Sequence, residues 1–284
     1  MVSGQIDSRR DCWFGRAPTL CGSAVQLRLE TDGAAIVRGF LSDQDLSRID
    51  HITGDAFAYL DGGGGDAGVR ETWISVGTIW LTNLERCVEP ELARELVTLL
   101  SRQANRTLGP SYLVADICSI RRMTDWHRRL QWHTDAQGGG TIDYEPCLNI
   151  WLPLTAVGCE QPSVEVVRGS HRRMRELPRS ETGAHEDEWV AEHFPPTHRI
   201  APELAPGDAL IFDHWTLHRT QLLDHEMVSR MSIECRVTRH PAYLERLHQE
   251  NRLLSWITRG PWRKVTAATT TFGSAVCGLA VAAT

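Results

Sequence analysis

The sequence predicts a β-sandwich or barrel core with helices packed on its outside. Three observations carry this. Helical spacing of apolar residues dominates the first hundred positions. After Pro110 the texture changes to short β-like segments punctuated by Gly, Pro and Asp. From His240 a helical pattern resumes through Leu253 and Ile257. With 284 residues, 42% hydrophobic and 23% charged, the chain has enough apolar mass for one large globular domain.

The elements follow in order. Residues 1–25 lack periodicity and are expected to form a loose arm. Ala34 to Phe40 reads as a short strand. Ser42, with Asp45 three residues on, has the form of a capping box, because each side chain can satisfy a free backbone N–H of the first helical turn. Leu46, Ile49, Ile52, Phe57 and Leu60 then recur at helical spacing, up to Asp61 and the glycine run Gly62–Gly65. That run is expected to be a connector or a mobile lid. Pro90 suits a first helical turn, where its missing N–H costs nothing. Leu92, Leu96, Leu99 and Leu100 supply the second apolar stripe.

The β-like segments are Tyr112–Arg122, Leu130–Ala136, Cys147–Leu154, Ser163–Val167, Ala209–Phe212 and Arg230–Val237. Turn signals separate them at Gly138–Gly140, Gly158, Pro162, Gly169 and Pro206-Gly207-Asp208. Residues 177–199 are polar and acidic and read as an insertion between core strands. Residues 263–284 form a tail of small residues, uncharged from Val265 onward after Lys264, the one lysine in the chain. Its Thr and Gly content makes it weakly apolar, so a membrane anchor is not expected.

Net charge is −6, which gives no electrostatic case for nucleic acid or an anionic membrane as partner. The eight cysteines form no C-x-x-C pair and fit neither a zinc ribbon nor a disulfide scaffold. No charged-then-apolar signal opens the chain. The expected setting is reducing and cytoplasmic.

His133-Thr134-Asp135 carries the chemistry. Residues i and i+2 of a strand share a face, so an imidazole and a carboxylate can address one ion while Thr134 faces away. A distant histidine would complete the two-histidine, one-carboxylate set that suits Fe(II) and leaves positions open for oxygen. Two candidates, His214 and His218, follow the turn and apolar strand Gly207–Phe212. Arg230 and Arg236 lie on one face of the alternating strand that comes next, so the pattern alone does not choose between them as an anion anchor.

"GAAIVRGFLSDQDL", "WHTD", "IWLPLTAVG", "VEVVRGSHRR", "PGDALIFDHWTLHRT" and "SRMSIECR" stand in an order and spacing that resemble the phytanoyl-CoA dioxygenase family of Fe(II)/2-oxoglutarate oxygenases, over residues 33–240. The resemblance implies a double-stranded β-helix, a jelly-roll core over about 111–240 within a single oxygenase domain spanning 26–262. It implies His133, Asp135 and His218 as metal ligands and catalytic residues, and Arg230 as the 2-oxoglutarate anchor. Thr220, Trp151 and Arg121 are its further cosubstrate contacts, and Arg236 is left as an exposed structural arginine. The cofactors implied are Fe(II), 2-oxoglutarate and O2. Because Asp135 is present, halogenation is disfavoured relative to hydroxylation.

A small organic substrate of a bacterial biosynthetic pathway is expected, with a carboxylic acid as one candidate. Its contacts are expected around Gly62–Arg70 and Leu177–Arg199. His127, Arg128 and Arg129 are expected at the mouth, with Trp132 and Trp215 walling the pocket. Two alternatives stay open: a cupin-like metalloenzyme that does not use 2-oxoglutarate, and a jelly-roll binding protein without catalysis.

Overall fold

Two antiparallel sheets face each other across a roll that is apolar at one end and polar at the other. The structure, a computed structural model, describes residues 22–84, 87–110, 112–114, 119–124, 129–136, 147–178, 180, 183–223 and 229–240. Most of the N-terminal arm, His127, Arg128, the helical pattern after His240 and the C-terminal tail lie outside the described residues.

The larger sheet runs in the order β1 (Ala34–Val37), β10 (Ala209–Asp213), β6 (Cys147–Pro153), β12 (Arg230–Thr238), β4 (Ser119–Met123) and β2 (Thr78–Trp80), with β3 (Leu113–Val114) also on β12. The smaller sheet runs β8 (Ala184–His185), β5 (Trp132–His133), β11 (His218–Thr220), β7 (Val164–Val167) and β9 (Arg199–Ile200). This is the double-stranded β-helix anticipated from the sequence.

Alternation decides what each strand gives to each side. In β1 and β10, Ala34, Ile36, Leu210 and Phe212 point into the roll and join Trp151, Val164 and Val166 in an inner cluster. Their neighbours Ala35, Val37, Ala209 and Ile211 point outward and pack under the helices. On β12 the outward residues Ile233, Cys235 and Val237 are apolar and join that same outer cluster. Its inward residues Arg230, Ser232, Glu234 and Arg236 are polar, which is why the roll has a wet end.

Four helices position the large sheet. They are α1 (Ser23–Asp32), α2 (Asp43–Asp61), α3 (Ala67–Val76) and α4 (Pro90–Leu108). The Ser42/Asp45 capping box forms as expected: Ser42 Oγ accepts from the Asp45 N–H, and the Asp45 carboxylate accepts from the Ser42 N–H. Asp45 also receives Arg102 and Gln103 of α4, so one capping side chain ties the two long helices together. Ile49, Ile52, Leu96 and Leu100 are fully buried between them, each contributing roughly 1.5–3 kcal/mol by leaving water. No helix among the described residues is long and apolar enough to cross a membrane.

The smaller sheet has its own cover. Helix α5 (Asp187–His193) presents Val190, with Phe194 just after it, to Trp132, Val167, Met174, Trp215 and Leu217 on the outer face. Residues 177–199 are therefore an integral cover, and their strand β8 extends the sheet from the edge beside β5.

Gly33, between α1 and β1, sits behind the turn that leads to β11. Its φ of +75° and its contact with the His171 ring and Thr216 Oγ1 leave no room for a Cβ. Its carbonyl accepts from the Asp213 N–H and from the Thr216 hydroxyl, both at 2.8 Å.

Candidate metal centre and anion pocket

His133 on β5 and His218 on β11 are direct antiparallel partners. Paired residues of a sheet project to one face, so both imidazoles enter the roll with ring centroids 4.2 Å apart. Asp135, two residues past His133, brings its carboxylate to within 3.9 Å of His133 Nε2 and 4.0 Å of His218 Nε2. The three potential ligand atoms lie within 4.8 Å of one another, close enough for one ion to reach all three.

The tautomers favour metal binding. His133 Nδ1 lies 2.7 Å from the Gln131 carbonyl and His218 Nδ1 lies 2.9 Å from the Thr216 carbonyl. A carbonyl only accepts, so each Nδ1 carries the hydrogen, which in the neutral ring leaves the Nε2 lone pair turned to the cluster. Burial, reinforced by neighbouring His218, pushes His133 down to about 4, so it is neutral near pH 7.

The carboxylate is held from both sides. Arg236 Nη2 lies 3.1 Å from Asp135 Oδ1, and the Asn149 amide donates to Oδ2 at 2.5 Å. Asn149 and Arg236 are themselves register partners across β6 and β12. Burial alone would raise the Asp135 carboxyl; Arg236, the two imidazoles and Asn149 outweigh it and hold the group well below the usual carboxylate range. Arg236 is thus no exposed structural arginine. Its side chain is 17% exposed and is spent on a ligand.

A narrow cavity runs inward from the two histidines. Its lining includes Arg121, Trp151, Thr220, Arg230, Ser232 and Glu234. The four residues expected to contact the cosubstrate are thereby gathered around one space, together with His133 and His218. Arg230 is 2% exposed. Its Nη1 donates to the Pro162 carbonyl at 3.0 Å and more weakly to that of Ser163 at 3.4 Å, its Nε has no partner, and it lies over the Trp151 ring at 5.3 Å. Among the described residues no carboxylate forms an ion pair with it. Burial and the like charge of Arg121 push this guanidinium down to about 9. A buried cation with no ion-paired carboxylate is costly, and the nearby Glu234 is itself pushed toward its neutral form, so a bound anion supplies the missing charge.

Sequence reasoning missed three features. Asn149 is the polar interruption of the apolar run Cys147–Leu154, a signal that was available. Glu234 faces the same cavity, where burial and then the nearby Asp135 raise its carboxyl above the ordinary range. Asp187, in the insertion, accepts from the Trp132 indole and from Arg219.

Other expectations are corrected. Trp132 and Trp215 do not wall the cavity; both pack in the outer cluster under α5. Of the two segments expected to contact the substrate, neither 62–70 nor the described residues of 177–199 contribute to the lining of this cavity. Residues 62–70 follow Asp61, the last residue of α2, which takes both Nη atoms of Arg122 on the outer side of the large sheet. His214, which the resemblance set aside in favour of His218, is not among the three clustered ligands, and its Nδ1 lies 2.8 Å from the Cys147 carbonyl.

A family model described as phytanoyl-CoA dioxygenase (PhyH) matches residues 29–221. No curated protein matches the sequence. Among solved structures, AviO1 from Streptomyces viridochromogenes Tue57 is 17% identical with a TM-score of 0.55, over 80% of this chain and 98% of that one. EctD from S. alaskensis, solved with 2-oxoglutarate and 5-hydroxyectoine, is 18% identical with a TM-score of 0.57, over 76% of each chain. The epimerase SnoN, in complex with Fe3+, alpha ketoglutarate and nogalamycin RO, is 17% identical with a TM-score of 0.52, over 78% of this chain and 87% of that one.

Proposed function

Since the chain belongs to the phytanoyl-CoA dioxygenase family, we propose that it is an Fe(II)- and 2-oxoglutarate-dependent oxygenase that hydroxylates, or otherwise oxidises, an unactivated C–H bond of a small organic molecule in secondary-metabolite biosynthesis. The observation that carries this reading is the pairing of two features in one cavity. A His-His-carboxylate cluster stands at one end, and a buried guanidinium with no carboxylate partner among the described residues stands at the other. A metal site alone leaves Arg230 unexplained, and an anion pocket alone leaves the triad unexplained.

The donor set fits iron. Two imidazole nitrogens and one carboxylate oxygen on one side leave the other side open to further ligands. Iron with 2-oxoglutarate supplies the oxidising chemistry when bound, converting the cosubstrate and O2 to succinate and carbon dioxide as the substrate is oxidised. The chain's residues do the rest. His133, Asp135 and His218 hold the ion. Arg230 binds the far carboxylate of 2-oxoglutarate with parallel N–H donors, and Thr220 contributes a hydroxyl beside it. Trp151 walls the cosubstrate's apolar carbons. Arg121 brings a second positive charge to the same anion. Arg236 and Asn149 occupy Asp135 from behind, which limits how the carboxylate can turn toward the metal.

The test is succinate formation by the metal-stripped chain on adding Fe(II), 2-oxoglutarate and O2, alone and with acids from biosynthetic pathways. The expected result is succinate that requires both Fe(II) and 2-oxoglutarate and rises with a true substrate. No succinate under any of these conditions would sink the proposal. Full activity in Arg230→Ala would instead favour a cupin-like metalloenzyme that does without 2-oxoglutarate.

A further inference from the structure

The ligand pair His133/His218 has a twin on the other side of the same two strands. His133 and His218 occupy one inward rung of β5 and β11. In an antiparallel pair the next rung joins Trp132 to Arg219, and alternation turns both outward. There the Arg219 guanidinium lies over the Trp132 ring, 4.4 Å from its centroid.

One carboxylate grips both members of this outer pair. Asp187 Oδ1 accepts the Trp132 indole N–H at 2.8 Å, and Arg219 Nη1 lies 2.8 Å from each Asp187 oxygen. Glu165 on β7 takes the other side of Arg219, accepting from Nε at 2.7 Å. Arg199, at the end of the cover, comes to 3.7 Å from Asp187 Oδ1. Trp132 is 1% exposed, and Val190 and Phe194 pack in the same cluster, so the grip is seated on a dry floor.

We propose that Asp187 is a positioning residue for the metal centre. By holding Trp132 and Arg219 together on the outer face, it fixes the separation of His133 and His218 on the inner face. The charge of Asp187 is a small part of this. Its side chain is 49% exposed, so Coulomb attraction there is screened. Its value is geometric: two directional bonds from one rigid helix turn set two strands against each other. β5 is only two residues long and β11 three, so their own ladder bonds fix this spacing weakly. The insertion carrying Asp187 thereby serves the metal as well as covering the sheet.

The inference rests on the iron reading of the triad. Its test uses the full chain stripped of metal, titrated anaerobically with Fe(II) at saturating 2-oxoglutarate, with the visible iron-to-cosubstrate charge-transfer band as readout. Asp187→Asn keeps an acceptor for Trp132 and weakens the hold on Arg219. Trp132→Phe keeps the packing and removes the indole N–H. Each is expected to weaken Fe(II) binding about 3- to 10-fold, below the 10- to 100-fold typical of groups bonded directly to a ligand. Each should also shift the band.

Glu95→Gln is the control, since it weakens the exposed Arg48–Glu95 pair between α2 and α4, far from the site. It should lower thermal stability slightly and leave Fe(II) affinity at the wild-type value. Wild-type affinity and spectrum in both Asp187→Asn and Trp132→Phe would overturn the inference alone. Absence of the band in the wild type would overturn the iron reading along with it.

Discussion

Arg236 Nη2 lies 3.1 Å from Oδ1 of Asp135, and this contact joins the last strand of the large sheet to the carboxylate of the metal cluster in the small one. Asn149 completes the link from the strand next door, so the carboxylate arrives already oriented. A carboxylate that must order itself on binding would add the entropy of that ordering to the cost of taking up the metal.

Arg236→Met removes this restraint at nearly constant volume. Fe(II) affinity is expected to fall about 10- to 100-fold, as for other groups bonded to a metal-ligating side chain. Equilibrium dialysis against Fe(II) under anaerobic conditions measures it. The far-UV spectrum should stay that of the wild type, and an affinity within two-fold of wild type would show that Arg236 has no such role.

Arg230 predicts a different phenotype, because it faces the cosubstrate and not the ion. Replacing it with Ala removes two charge-assisted hydrogen bonds, together worth about 3 kcal/mol, or roughly a hundredfold in affinity. The KM for 2-oxoglutarate should rise by about two orders of magnitude while Fe(II) binding without cosubstrate is unchanged. Arg230→Lys, a point charge lacking the planar fork, should fall between the two. A KM for 2-oxoglutarate unaffected by Arg230→Ala would remove Arg230 from the pocket's function.

The contrast between these two arginines marks how far the sequence could be read. Alternation put Arg230 and Arg236 on one face of β12, and the structure keeps them there, but it gives them opposite tasks. What separates them is the partner across the sheet: Asn149 beside Arg236, Met123 beside Arg230. One sequence does not show pairing register, so neither partner was visible. The long elements were legible for local reasons. Ser42/Asp45 capping, Pro90 at a helix start and the nine-residue alternation of β12 all declare themselves within a few residues. Strands β8, β9 and β11 are two or three residues long, too short for a period of two to show. Asp187 was hidden for a further reason: in the sequence it is one acidic residue in an acidic stretch, and only the fold sets it behind the two histidines.

Protonation of the metal-free site predicts how stability depends on pH. His133 falls from its ordinary 6.5 to about 4 on folding. Between those values the unfolded chain binds a proton that the folded one does not, so His133 makes stability rise with pH through that window; Glu234, whose raised carboxyl keeps a proton that the unfolded chain loses, opposes part of the rise. Asp135 adds to the same trend, since its carboxyl is also depressed and loses its partners only on stronger acidification. The chelator-treated protein should therefore lose stability steadily from pH 6.5 to 4, by roughly 3 kcal/mol from His133 alone. Thermal melts across this range check it. His133→Asn should flatten the upper part of the curve, and a wild-type melting temperature that stays constant from pH 6.5 to 4.5 would contradict the assignment.

Gly33 gives the last prediction, on the path that delivers His218 to the site. Its carbonyl receives the Asp213 N–H and the Thr216 hydroxyl, and Thr216 in turn offers its own carbonyl to His218 Nδ1. Gly33→Ala adds one methyl group at φ +75°, where a side chain costs about 1 kcal/mol on conformation alone. The added carbon also meets the His171 ring and Thr216 Oγ1, and neither can retreat freely. His171 is buried, and Thr216 is fixed by its bond to Gly33. A total of about 2–4 kcal/mol follows from strain plus crowding, which lowers the melting temperature by about 5–15 °C for a domain of this size. Because Thr216 must move, Fe(II) affinity should fall with stability, even though Gly33 touches no ligand. Ala at the exposed helical position Gly54, where a Cβ meets nothing within 4 Å, should be neutral or slightly stabilising. Equal melting temperatures for the two variants would mean that the packing of Gly33 against His171 and Thr216 does not constrain the turn before β11.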